Sequence, residues 1–270
     1  MNQRKEILEK WTVDDSAELY GIRSWGNGYF DINDKGELVI LANQGGKTVS
    51  ASLLDVINGI MERGMNMPVL LRISNLLDSQ IRLLHSSFRK AIKQSGYKGV
   101  YKGVYPIKVN QQQQVIEEIV RFGKEFHHGL EAGSKAELIA ALGSMHDRKA
   151  CIVCNGYKDA EFVDLVLYAC KLGYQCIIVV EMIGELPLII ERSRELGIKP
   201  IIGLRMKLST KASGLWTESG GDRSVFGLNS AELIDMVDLL RKENMLDCLR
   251  LLHYHIGSQI SNIRDIRAAA

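Results

Sequence analysis

The chain has 270 residues, 46% apolar and 24% charged with 4 prolines, which supplies a sizeable core and excludes a disordered chain. Lysine and arginine number 34 against 32 aspartates and glutamates, so a net charge of +2 gives no field suited to wrapping nucleic acid. Apolar runs such as 69–73 and 176–180 stop well short of the roughly 18 residues a bilayer span needs, and MNQRKEILEK is charged where a secretory leader is apolar; the expected location is the cytoplasm, with no membrane partner.

In chain order, residues 28–32 and 37–41 read as two short strands around the turn-forming Asn33-Asp34-Lys35-Gly36, a small β-rich appendage over residues 1–48. Residues 69–73 read as a lead-in strand and 76–94 as a helix. From there, strand-like apolar runs recur at 102–109, 128–132, 150–155, 175–181, 200–207 and 249–257, about 25 residues apart except for the last. Helical spacing fills the intervals at 112–123, 134–143, 159–172, 184–196 and 230–244. The exception to the rhythm is a loop over 207–229 that holds Gly214, Gly220, Gly221 and Gly227. The five cysteines, 151, 154, 170, 176 and 248, form no even framework and read as reduced thiols; Cys151 and Cys154 sit in an apolar strand and read as core rather than as a zinc pair.

Alternating strands and helices mean a parallel sheet, either doubly wound or a (β/α)8 barrel. Lys108, Glu131, the Asn155-Gly156 turn, Glu181, Arg205 and His255 all stand at or near the C-terminal ends of their strands, and no G-x-G-x-x-G follows the first strand. A barrel gathers such ends at one mouth, so the expected fold is α/β of the barrel type over residues 49–270, with about six of eight strands present.

Lys108, in Tyr-Pro-Ile-Lys-Val-Asn, follows apolar neighbours towards an expected semi-buried mouth, where burial favours the neutral amine that attacks a carbonyl. Read alone, without its motif, such a residue is more often a lysine snorkelling out of a strand end. His253 and His255 share one strand face, as stacking rings or as satisfied core histidines. Gly257-Ser258 offers free N–H groups and a hydroxyl to a phosphate.

GNGYFDIN at 26–33, GVYPIKVNQ at 103–111, GLEAGSKAEL at 129–138, CNGYKD at 154–159, W-x-x-S-G-G-x-R-S at 216–224 and LLHYHIGSQIxNIRDI at 251–266 together resemble the biosynthetic arginine decarboxylases, members of the alanine racemase-like decarboxylases that use pyridoxal 5'-phosphate. That resemblance implies a (β/α)8 barrel, conversion of L-arginine to agmatine and carbon dioxide for polyamine synthesis, a homo-oligomer, and magnesium beside the main cofactor. It implies that Lys108 bonds the cofactor aldehyde, that His255 stacks on its ring, that Glu131 and Arg205 flank it and that Ser258 helps hold its phosphate. The family reads Lys-Phe-Gly where this chain has Val225-Phe226-Gly227. Two further strands and a C-terminal β domain are expected beyond residue 270, so the chain reads as the N-terminal portion of a longer enzyme, inactive alone. The other readings are a sister decarboxylase for diaminopimelate, lysine or ornithine, and a non-catalytic regulatory homologue.

Overall fold

The structure is a computed structural model that describes residues 11–44, 47–208 and 224–257, together with 262, 264, 266 and 267. It falls into two compact units, residues 1–76 and 77–270.

In the first unit, helix α1 (Val13–Leu19) starts on a capping box in which the Thr12 hydroxyl accepts from the Asp15 N–H while the Asp15 carboxylate accepts from the Thr12 N–H. Helix α2 (Ile22–Trp25) and strands β1 (Phe30–Ile32), β2 (Leu38–Gln44) and β3 (Lys47–Ser52) follow, the strands forming an antiparallel sheet in sequence order. The β1–β2 turn uses Gly36 at φ +79°, and Asn33 Oδ1 accepts from the N–H groups of Lys35 and Glu37. Helix α3 (Leu53–Glu62) is capped by Ser52. The two hairpin strands match the sequence reading; β3 and helices α1 to α3 do not appear in it, and the boundary expected at residue 48 falls within β3. The lead-in strand expected at 69–73 is absent from both sheets, and Leu70 is 76% exposed. An apolar run becomes a strand only where a neighbouring strand offers its backbone groups.

Helix α4 (Ser74–Ser95) leads into a six-stranded sheet made of β4 (Val104–Pro106), β5 (Gly129–Ala132), β6 (Cys151–Cys154), β7 (Gln175–Val180), β8 (Ile201–Met206) and β9 (Leu249–Tyr254). Every pairing is parallel, and each strand lies beside the one before it. A doubly wound sheet reverses its strand order at a switch point; this one does not, which is the barrel arrangement. Among the described residues the sheet ends on β4 and β9. The connections carry α5 (Gln113–Gly123), α6 (Lys135–Ser144), α7 (Ala160–Lys171), α8 (Glu185–Leu196) and α9 (Ser230–Lys242). Ser134, Asp159 and Asn229 cap α6, α7 and α9, each accepting from an N–H in the first turn, and α8 closes on Gly197 at φ +62°.

Residue parity divides the sheet into two faces. Leu130, Ala132, Ile152, Cys154, Cys176, Ile178, Val180, Ile202 and Leu204 join the helices in one core with Phe162, Val166, Leu167, Leu186 and Ile189. Phe162 is 1% exposed, and its truncation to alanine removes about 3–5 kcal/mol by the usual cost of emptying a packed aromatic site. The intervening positions, among them Glu131, Val153, Val179, Gly203, Arg205 and His253, turn to the opposite face. There is room for little at Gly203, where an added Cβ would lie 3.1 Å from Leu251 and 3.3 Å from Val179. The parity that builds the helix-side core therefore sends these charged and imidazole side chains inward.

Candidate active site

Strand β4 runs into a single 3₁₀ turn, Ile107–Val109. Ile107, 1% exposed, anchors the turn, and Lys108 projects from it. The Lys108 side chain is 65% exposed, which corrects the expected semi-buried amine: β4 has a neighbour only on its β5 side among the described residues, so solvent reaches the turn. Its Nζ lies 3.9 Å from Glu131 Oε1.

Glu131, on β5, is 7% exposed, and burial raises its carboxyl above the usual range, against the pull of Lys108 and Asn155. The Asn155 carboxamide, just past β6, donates to Glu131 Oε1 at 3.1 Å. Gly156 then turns at φ +80°, and only glycine fits: an added Cβ would lie 2.1 Å from the Gly133 carbonyl oxygen. The turn presents the Gly156 N–H to Glu181 Oε2 at 2.7 Å.

Glu181 follows β7 and is buried, with Oε1 paired to Arg205 on β8. Arg205 is held again by its surroundings. Its backbone carbonyl accepts from the Leu228 N–H at 2.7 Å, its guanidinium lies 5.8 Å from the centre of the Phe226 ring, and Gly227 donates to the Glu181 carbonyl at 2.9 Å. Val225, where the family reads lysine, is 81% exposed, so the departure falls on a solvent-facing side chain.

In the β8–β9 register Arg205 lies opposite His253. Burial, helped by the Arg205 charge, pushes the His253 imidazole down to about 4 and lowers His255 in the same way, so both are neutral rings near pH 7. Among the described residues, three buried atoms on this face have no hydrogen-bond partner: Glu131 Oε2, Asn155 Oδ1 and His253 Nδ1. Buried polar atoms are seldom left so, and three at one mouth mark a place where a polar group fits.

Of the residues singled out from sequence, Lys108, Glu131, Arg205 and His255 come to the same end of the sheet, linked through Lys108–Glu131 and through the charges of Lys108 and Arg205 on His255. Ser258, most of the glycine-bearing loop and most of the W-x-x-S-G-G-x-R-S motif lie outside the described residues. Asn155 and Glu181 stand out in the sequence as strand-end polar residues without a role, His253 only as a neighbour of His255, and Lys158 only as part of the CNGYKD motif at 154–159. The signal available for Lys158 is its place between a strand and the apolar face of α7. The cysteines are free, with Cys154, Cys176 and Cys248 buried. Among the described residues no three histidine, cysteine or acidic side chains are placed to hold a metal ion, so nothing in them supports the magnesium implied by resemblance. Nor is any described helix long and apolar enough to cross a membrane.

An in-order parallel sheet with helical crossovers and a cluster of ionisable groups at its C-terminal ends defines a barrel-type α/β protein with one polar mouth. The chain belongs to the pyridoxal-dependent decarboxylases, matching the pyridoxal binding domain of that family over residues 78–270. It is 47% identical over 262 residues to a biosynthetic arginine decarboxylase of Gloeobacter violaceus, covering 97% of this chain and 40% of the relative. A second, from Bacteroides thetaiotaomicron, is 45% identical, with 97% and 41% covered. Among solved structures, the biosynthetic arginine decarboxylase of Campylobacter jejuni superposes with a TM-score of 0.82 at 36% identity, over 93% of this chain and 40% of that one. A diaminopimelate decarboxylase from M. jannaschii, at 22% identity and a TM-score of 0.63, shares the fold. The chain thus spans about 40% of the length of the curated relatives it matches.

Proposed function

We propose that this chain carries the cofactor-binding half of a pyridoxal 5'-phosphate-dependent decarboxylase that converts L-arginine to agmatine and carbon dioxide in polyamine synthesis, working in the cytoplasm as a homo-oligomer. The observation that carries the reading is the meeting of Lys108, Glu131, Arg205 and His255 at one mouth, beside the unpartnered atoms of Glu131, Asn155 and His253. Similarity to the arginine decarboxylases supports the choice of substrate.

The residues present suit the cofactor. Lys108, exposed and within reach of a carboxylate, is the amine for its aldehyde; His255 and His253 offer neutral flat rings; Arg205, held by Glu181, keeps a fixed positive charge at the mouth; Ser258 is assigned to the phosphate. When bound, pyridoxal phosphate supplies the aldehyde and a conjugated ring that accepts the electron pair left as carbon dioxide departs. Glu131 has two tasks: Oε1 steadies the Lys108 ammonium, and Oε2, buried and without a hydrogen-bond partner, faces the mouth as an acceptor for the bound group. The Asn155 carboxamide fixes the Glu131 rotamer so that this oxygen keeps its direction. No step is assigned to magnesium.

The test is borohydride reduction of the full-length protein with pyridoxal phosphate, followed by peptide mapping, and release of labelled carbon dioxide from arginine, diaminopimelate, lysine and ornithine in parallel. The expected result is a pyridoxyl group on Lys108 and turnover with arginine. A label on another lysine would overturn the site, and preference for another amino acid would overturn the substrate.

A further inference from the structure

Beneath the strand-end cluster lies a lysine that the proposed reaction does not use. The Lys158 side chain is 0% exposed. Its Nζ donates to the Gly156 carbonyl at 2.6 Å and lies 3.4 Å from Glu185 Oε2 and 3.9 Å from Glu181 Oε2. Glu185, the first residue of α8, accepts from the Glu181 N–H at 2.7 Å and from the Met182 N–H at 3.2 Å through the same Oε2. Glu181 accepts from the Gly156 N–H and pairs with Arg205. Two carboxylates and two cations are thus enclosed together, with side chains 1% and 4% exposed for Glu181 and Glu185, 0% for Lys158 and 14% for Arg205.

A lysine in a strand-to-helix connection ordinarily keeps its ammonium in water, because an ion buried without compensation is strongly unfavourable. Here the compensation is complete only as a set of four. With Lys158 present, each carboxylate has a cation. Without it, Glu181 and Glu185 share Arg205 alone, and one of them takes up a proton.

We propose that Lys158 is a positioning residue for the candidate active site: its ammonium balances the Glu181–Glu185 pair, so that Glu181 remains the anionic anchor that aims Arg205 at the mouth. This rests on the reading of that mouth as the cofactor site. Burial lowers the affinity of Lys158 for its proton, and Glu185 and Glu181 oppose that shift without cancelling it. Cys154 is the other titratable group acting on Lys158, and Glu131, His253 and His255 are those coupled to Glu181. None of these supplies the missing positive charge at neutral pH.

The experiment uses the full-length protein as wild type, Lys158→Met and the charge-balanced Lys158→Met/Glu185→Gln. Affinity for pyridoxal phosphate is read from its visible absorbance between about pH 6 and about pH 9, where a buried carboxyl of raised pKa changes state. Relative to wild type, Lys158→Met should weaken binding about tenfold at neutral pH, within the coupling usual for residues in contact, and recover as pH rises and the shared carboxyl ionises. The double variant should return to within about threefold of wild type and lose the extra pH dependence. A loss in Lys158→Met that does not change with pH would overturn the proposal, as would a double variant weaker than the single one. If Lys158→Met does not fold, the double variant decides: a loss of about tenfold or more against wild type overturns the proposal.

A second arm needs no cofactor. The thermal midpoint of Lys158→Met should fall further below wild type as pH rises above the carboxylate range, because a carboxyl with a raised folded pKa loses stability in that direction, whereas the double variant should run parallel to wild type. A Lys158→Met curve parallel to wild type overturns the charge balance. Should wild type itself bind no pyridoxal phosphate, the functional reading fails, and this arm still decides the role of Lys158.

Discussion

His85 Nε2 on α4 and His128 Nδ1, one residue before β5, lie 2.9 Å apart in a buried pair, and the His85 ring stacks on Phe126 at 4.4 Å. The bond requires one ring to donate and the other to accept, so protonation of both rings breaks it. Crowding fixes His128 in place: a Cβ added at Gly103 would lie 2.5 Å from its Nδ1, and one at Gly123 would lie 2.5 Å from its Cβ.

Burial, with the neighbouring His85, pushes His128 from 6.5 down to about 4. A base with a depressed folded pKa contributes stability above its unfolded value and loses it as pH falls through the folded one. Stability should therefore drop between pH 6.5 and about 4, by about 1–3 kcal/mol from this group. Urea unfolding across that window checks it. His128→Gln should be less stable at neutral pH and lose less on acidification; an unchanged acid slope would contradict the account. His253, also at about 4, keeps part of the slope in both proteins.

Glu131 carries the opposite sign. Its carboxyl is raised by burial, so its contribution is present below the ordinary carboxylate range and is lost as pH rises through the raised value. Glu131→Gln keeps an acceptor for Asn155 and removes the buried charge. Cofactor-free Glu131→Gln should melt a few degrees above wild type at neutral pH, with the gap closing towards pH 4. A lower midpoint at neutral pH would show that Glu131 is ionised and well satisfied.

Two glycines should respond in opposite directions. Gly156→Ala puts a Cβ 2.1 Å from the Gly133 oxygen at φ +80°, and should cost about 2 kcal/mol or more and weaken cofactor binding by displacing the N–H that Glu181 accepts. Gly143, on the exposed side of α6 with nothing within 4 Å of an added Cβ, should gain about 0.5–1 kcal/mol as alanine. Chemical denaturation of both variants tests the pair, and a Gly156→Ala protein as stable as wild type would remove the steric argument.

Local chain chemistry wrote much of the fold into the sequence. The six strand-like runs from residue 102 onward all became strands, and the five crossover helices lie within two residues of their expected ends, because apolar periodicity and capping residues such as Ser134, Asp159 and Asn229 act over a few neighbouring residues. The apolar run at 69–73 shows the limit: its composition suits a strand, but pairing depends on a partner that composition does not specify.

The site divides along the same line. Strand-end position and motif pointed to Lys108, Glu131, Arg205 and His255, because the end of a parallel strand is legible from the run that precedes it. What each group has become was decided by neighbours distant in sequence. Lys108 is exposed because, among the described residues, β4 pairs only with β5, and Glu131 holds its proton more tightly because β5 is flanked by β4 and β6. Lys158 is accommodated in the interior because Glu181 and Glu185 arrive from the next strand and helix to face it. Hydrophobic period and capping are properties of a short stretch of chain, whereas desolvation and charge balance are properties of the volume around an atom, and only the folded chain fills that volume.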